Sequence, residues 1–98
     1  MIEVRQTDEF RTWLRGLRDG KAAARITARI RRFEQGNPGD TRPVGSGVME
    51  LRVDYGPGYR AYYVRHGSVV VILLCGGDKR TQRRDIERAQ SLAAELED

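Results

Sequence analysis

An α+β fold, with helices packed against an antiparallel sheet, is predicted by three features of this 98-residue sequence. Two stretches with helical spacing stand next to each other near the start. A block of strand-like segments follows without interruption, and one more helical stretch closes the chain. The order β-α-α-β-β-β-α implies a two-layer fold. An antiparallel meander sheet carries the two N-terminal helices on one face, with a C-terminal helix after it. A chain of this length is expected to form one domain over residues 1–98.

Each element has a local reason. Ile2 to Gln6 alternates and reads as a short strand. Thr7 is placed to cap a helix, with Asp8 and Glu9 in the first turn, where the helix dipole favours negative charge. Phe10, Trp13, Leu14 and Leu17 follow on one stripe until Asp19-Gly20 breaks it. Lys21 to Gln35 reads as a second helix, with Ala23, Ile26, Ile30 and Phe33 inward and Arg25, Arg29, Arg31 and Arg32 outward as a basic patch. Gly36-Asn37-Pro38-Gly39 stops that helix, and Asp40 to Gly47 shows no periodicity and reads as a loop. In the last helix, capped by Asp78 or Thr81, the stripe is Ile86, Ala89, Ala93 and Leu96, with Leu92 nearby. Glu95, Glu97 and Asp98 make its end acidic.

The meander is the most informative stretch. Met49, Leu51 and Val53 alternate with Glu50, Arg52 and Asp54; Tyr59 to Arg65 is a second strand, and the apolar run Val69 to Cys75 a third. A connection over Asp54 to Gly58 sets Val53 opposite Tyr59, Arg52 opposite Arg60 and Leu51 opposite Ala61. All large apolar groups then share one face, whereas a loop one residue shorter would turn Arg60 onto it. Arg52 and Arg60 become cross-strand neighbours, an unfavourable pairing unless an anion or carboxylate stands between them. A tight turn at His66-Gly67 would continue the register to Arg60–Leu73 and Tyr62–Val71. The second face would then be part cationic and part apolar, open to a partner or to the chain's own tail. The first strand is expected beside the Val69 strand.

Composition narrows the chemistry. The net charge of +4 favours a polyanionic partner. One cysteine and one histidine leave no disulfide, metal site or nucleophilic triad, and no cofactor is expected. Cys75 reads as a buried, inert thiol, and His66 as a solvated turn residue. No apolar run reaches the roughly 18 residues of a membrane span and no signal peptide is evident, so the expected location is cytoplasmic, away from membranes. What converges is cationic. Arg52 and Arg60 share a sheet face, Lys79 and Arg80 follow the adjoining strand, and Gln82, Arg83 and Arg84 open the last helix. Such a set can hold an RNA backbone and stabilise the added charge of a phosphorane. Crowded cations also favour a neutral amine, which would bring Lys79 into proton transfer. The alternative is surface charge balanced by acids such as Glu50, Asp78 or Asp85.

Leu51-Arg52, Gly58-Tyr59-Arg60, and Gly76-Gly77-Asp78-Lys79 followed by Gln82 and Asp85-Ile86 carry a resemblance over nearly the whole chain. The sequence resembles the phage Gp49-like, HigB-type branch of the RelE/ParE toxin superfamily, the addiction-module killer proteins. The resemblance implies a RelE-like fold and the toxin of a type II toxin–antitoxin module. It also implies a cognate helix-turn-helix antitoxin as partner. RelE-type members cut mRNA in the ribosomal A site without metal, by attack of the 2′-hydroxyl on the adjacent phosphate. The ribosome and mRNA are therefore further expected partners, and the free toxin is expected to be a monomer. Arg60, Lys79, Arg52 and Arg80 stand at the catalytic places. Gln82, Arg83, Arg84, Arg29 and Arg32 are the residues expected to bind RNA. The antitoxin is expected to cover the basic surfaces or to dock near Val71 and Leu73. Two departures are visible: Glu50 replaces a second lysine and would weaken the cationic site or fix Arg52 by pairing with it, and the tail lacks the tyrosine or histidine several members use. Tyr62 is the remaining candidate for proton transfer by position, though packing fits it better, and Tyr59, Tyr63 and Trp13 read as core. Two other readings are a ParE-like inhibitor of DNA gyrase and an inactive homologue in which the Arg25–Arg32 patch binds DNA.

Overall fold

The structure, a computed structural model, describes residues 2–96, so Glu97 and Asp98 of the expected acidic end lie outside the described residues. Strand β1 (Glu3–Gln6) leads into α1 (Asp8–Arg15) and α2 (Gly20–Glu34). Strands β2 (Thr41–Pro43), β3 (Met49–Val53), β4 (Tyr59–His66) and β5 (Val70–Asp78) come next, then a 3-10 turn at Lys79–Thr81 and α3 (Gln82–Leu96). The fold is α+β, with a five-stranded mixed sheet in the order β1-β5-β4-β3-β2. As expected, β1 lies beside the Val69 strand; it runs parallel to β5, Glu3 opposite Val70. Among the described residues, no helix is long and apolar enough to cross a membrane.

The helix ends follow their caps. Thr7 Oγ1 accepts from the Phe10 amide at 3.0 Å and donates to the Leu74 carbonyl at 2.7 Å, so the cap also pins α1 to β5. Asp19 caps α2 through the Lys21 and Ala22 amides. The buried stripe of α2 is Ala22, Ile26, Ile30 and Phe33. Ala22 takes the inward place assigned to Ala23, because positions four apart share a helix face and Ile26 sets the phase.

Two layers become three. Phe10 of α1 and Ile26, Ile30 and Phe33 of α2 pack on Leu51, Val53, Ala61, Tyr63, Val71 and Leu73. On the opposite face α3 packs Ala89 and Ala93 against Val48, Tyr62, Val64, Leu74 and Cys75. The chain's own tail thus covers the second face. Leu96, assigned to the α3 stripe, is exposed, and so is Val69, which lies in the turn before β5. Arg88 grips Glu9 with its Nη2 at 2.7 Å and joins α3 to α1 around the sheet end.

The β3–β4 register is the expected one: Val53–Tyr59, Arg52–Arg60, Leu51–Ala61. The β4–β5 register is not. Arg60 faces Gly77 and Tyr62 faces Cys75, in place of Leu73 and Val71. The connection runs over Gly67, Ser68 and Val69, and a β-bulge falls where the partners jump from Cys75 for Tyr62 to Leu73 for Tyr63. The bulge leaves Leu74 as the extra residue and turns both Leu74 and Cys75 toward α3. Val71 and Leu73 are fully buried beneath α1 and α2, so the expected partner dock at those residues is overturned. The loop assignment of residues 40–47 is also corrected, because Thr41–Pro43 pairs antiparallel with Leu51–Met49. A three-residue strand containing proline shows no periodicity and is tolerated at a sheet edge, where the missing N–H has no ladder partner.

Past the bulge, the two glycines of β5 are sites of close approach from both layers. A Cβ on Gly76 would overlap the Trp13 ring; one on Gly77 would overlap the Asp85 carboxylate and come within 2.8 Å of Thr81 Oγ1. Neither neighbour is free to give way, since Trp13 packs edge-on to Tyr59 and Asp85 is buried and accepts from Thr81. Gly77→Ala and Gly76→Ala are each expected to lose roughly 1–3 kcal/mol of stability through overpacking. Urea denaturation midpoints equal to wild type would contradict this packing.

Candidate functional site

Glu50 on β3 is fully buried, 0% exposed, on the face that α3 covers. Its Oε1 accepts from Arg42 Nε at 2.9 Å, and its Oε2 accepts from Tyr62 Oη at 3.0 Å and from Gln82 Nε2 at 2.8 Å. Arg52 Nε and Arg60 Nε each stand 3.9 Å from the carboxylate. Burial alone would push this carboxyl up. The hydrogen bonds from Gln82, Arg42 and Tyr62 and the Arg42 charge outweigh it and hold the group below its ordinary value. Glu50 is therefore the carboxylate that the Arg52–Arg60 neighbours require. Its closest ion-pair partner is Arg42 of the edge strand at 2.9 Å, and the pairing with Arg52 is present as well, at 3.9 Å.

Arg60 is 6% exposed and its Nε makes no hydrogen bond. It lines a cleft of about 470 Å³ together with Asp40, Arg52, Asp54, Gly56, Pro57, Gly58 and Lys79. Three expected catalytic residues, Arg52, Arg60 and Lys79, thus meet in one place. Two backbone features bring them there. Tyr59 pairs with Asp78, which puts Lys79 at the end of β5 beside Arg60. Gly58 has φ of +82°, and a Cβ there would sit 3.5 Å from Lys79 Cβ, so the loop closes tightly on both cations. Arg25 stacks over the Tyr55 ring at 4.7 Å and ties this loop to α2.

The other expected residues are placed differently. Arg80 lies outside the cleft lining and pairs with Asp78 at 3.3 Å. Gln82 is committed to Glu50. Arg83 and Arg84 are exposed; Arg83 lines a shallow groove with Arg42, Gln82, Ile86 and Glu87. Arg29 donates to the carbonyls of Arg52, Pro38 and Asp40 and works as a clamp on the 38–40 segment. Arg32 lines a second cleft of about 350 Å³ with Arg25, Ala28, Arg29, Val53 and Asp54, adjoining the first at Asp54. Tyr62 is fully buried, and burial followed by the Glu50 charge drives its hydroxyl far upward, which suits a hydrogen-bond donor and not a base. Cys75 is buried, its thiol pushed up to about 12 by burial and by the nearby Asp85 and Glu9 charges. His66 is exposed at the end of β4.

Asp40, Asp54 and Arg42 were absent from the residues singled out by sequence. The Asp54-Tyr55-Gly56-Pro57-Gly58 turn carried a signal for Asp54, because its length aims that residue at the loop mouth. Nothing local marked Asp40 or Arg42, whose places depend on the short edge strand. Among the described residues, no three His, Cys, Asp or Glu side chains gather as metal ligands would.

A carboxylate held below its unfolded value stabilises the fold above that value, and the contribution fades as pH falls through the folded value. Glu50→Gln is therefore expected to be roughly 1–3 kcal/mol less stable at neutral pH. It should also lose less stability than wild type on acidification from about pH 5 to pH 3, around the ordinary glutamate range. Urea unfolding across that range measures both; parallel pH profiles would rule out Glu50 as the organising charge.

A family model described as "Phage derived protein Gp49-like (DUF891)" matches residues 12–94. A protein of Haemophilus influenzae (strain ATCC 51907 / DSM 11121 / KW20 / Rd), described as "Uncharacterized protein", is 50% identical over 95 residues, covering 97% of this chain and 96% of its own length. The family match spans α2, the sheet from β2 to β5, and α3 up to Ala94, and so takes in every residue that lines the cleft. The chain belongs to the Gp49-like family of phage-derived proteins.

Proposed function

We propose that this protein is the toxin of a toxin–antitoxin module and acts as a ribosome-dependent mRNA endonuclease, held in check by a helix-turn-helix antitoxin. One observation carries the reading: the buried Arg60, with an unbonded Nε, shares a cleft with Arg52 and Lys79. Membership of the Gp49-like family supports a toxin. In the proposed reaction the 2′-oxygen of a nucleotide attacks the adjacent phosphorus and the bond to the 5′-oxygen breaks. A 2′,3′-cyclic phosphate and a 5′-hydroxyl result; one proton leaves the 2′-oxygen and one is delivered to the 5′-oxygen. Arg60 and Arg52 hold the non-bridging oxygens, whose charge grows in the phosphorane, in a site already shaped for it. Lys79, exposed at the rim, serves the proton transfer to the leaving oxygen. Arg80, Arg83, Arg84 and Arg32 are exposed and carry the flanking backbone, a contribution that weakens with salt. The protein acts as a monomer in the ribosomal A site.

Primer extension on a defined mRNA in a reconstituted translation system tests the assignment. Wild type is expected to make codon-phased cuts only with ribosomes present. Arg60→Ala should cut at least about 100-fold less, and so should Lys79→Ala, whose exposed position leaves the core untouched. Cuts by both variants at the wild-type rate would remove the cleft from the mechanism. Absence of cuts by folded wild type, with inhibition of gyrase supercoiling, would replace the nuclease with a gyrase poison.

A further inference from the structure

The cleft is not purely cationic. Asp40 and Asp54 line it with Arg52, Arg60 and Lys79, both carboxylate-bearing residues are exposed, and neither forms an ion pair among the described residues. A pocket built only for phosphate gains nothing from two carboxylates, which repel the ligand's charge. Their places are set by the main chain. The Asp40 carbonyl accepts from the Arg52 amide at 2.9 Å and from Arg29 Nη2 at 3.4 Å, and Asp54 directly follows β3. Two exposed acids thus share the cleft lining with three cations, of which Arg60 is buried with an unbonded Nε.

A ligand matched to both ends carries an anion at one end and hydrogen-bond donors at the other. A nucleotide has this layout, with its phosphate on the arginines and the Watson–Crick edge of its base toward the acids. Carboxylates accept from N–H groups only, so they discriminate bases by donors. Guanine presents N1–H and the N2 amino group side by side, a match for both oxygens of one carboxylate. Adenine and cytosine present one amino group, and uracil a single imino N–H between two carbonyls that a carboxylate repels. Resting on the cleft as an RNA site, we propose that Asp54 and Asp40 form a base-reading subsite that selects amino-bearing bases, guanine foremost, at the nucleotide whose phosphate Arg60 binds.

The probes are the four nucleoside 3′-monophosphates, titrated into the full chain at one low salt concentration and followed by calorimetry. Guanosine 3′-monophosphate is expected to bind about tenfold tighter than the uridine form, the discrimination of one bidentate contact. Asp54→Asn and Asp40→Asn, both at exposed positions, should close the gap while retaining or strengthening uridine monophosphate binding. Equal binding of all four to wild type, abolished by Arg60→Ala, would overturn the base-reading subsite and leave the phosphate cleft standing. A guanosine preference that survives both aspartate variants would overturn the subsite as well. Binding insensitive to Arg60→Ala would overturn the cleft reading beneath it.

Discussion

A carboxylate shut away from water is the constraint on which the α3 face of this sheet depends. An isolated buried anion is destabilising by several kcal/mol after relaxation, so Glu50 persists only if donors reach it. They come from β2, β4 and α3, through Arg42, Tyr62 and Gln82. One charge thereby binds four elements together, counting its own strand. It also decides where Arg60 stands: 3.9 Å is near enough for the carboxylate to offset a buried guanidinium, yet too far for a hydrogen bond. The guanidinium is left without a hydrogen-bond partner at Nε. Nearby, the loop after β3 folds over the same cation and supplies the remaining walls of the cleft.

Gly76-Gly77-Asp78-Lys79 looks, as a string of letters, like the start of a phosphate-binding loop. In the structure its glycines serve packing. Trp13 presses on one side of β5 and Asp85 on the other, so the strand runs between two layers with no room for side chains. Asp78 then caps the 3-10 turn through the Arg80 amide while Thr81 closes the box, and Lys79 is delivered to the cleft rim at the point where the strand ends. The chemistry of the segment thus depends on its cramped passage through the sheet.

Much of this was legible in the residues. The β3–β4 register follows from keeping Arg60 off the apolar face, a choice with one acceptable answer, and it puts Arg52 beside Arg60. The Thr7 cap and the core roles of Phe10, Ile26 and Phe33 were equally plain, because each is set by neighbours a few residues away; Asp78, one of two candidates to cap the last helix, caps the 3-10 turn ahead of it. The β4–β5 register was not legible. Val70 to Cys75 is apolar throughout, so sliding it changes no polar side chain's environment, and the bulge at Leu74 leaves no mark in the letters. The same apolar run signals burial on both faces, a hint of three layers that an antiparallel reading of helix order suppressed. The β2 strand escaped because three residues with a proline show no periodicity, and its ladder to β3 and the Arg42–Glu50 contact join residues that share no local pattern. In the cleft, the cations announced themselves by spacing; the acids beside them did not, since Asp40 is held at its carbonyl by the Arg52 amide of β3 and the Arg29 side chain of α2.

The parallel pairing of β1 with β5 joins the first strand to residues nearly seventy positions later, as the Thr7 cap bonding to Leu74 also shows. During synthesis the N-terminal strand has no partner until Val70 to Leu73 have been made, and parallel pairing over such a separation forms slowly. Lys79 and Gln82 come later still. A polypeptide released before them lacks one wall of the cleft and one donor to Glu50. Loss of the segment that carries them therefore takes a hydrogen bond from Glu50 as well as a wall from the cleft. The cleft therefore takes shape only after β5 has joined the sheet and set Lys79 beside Arg60.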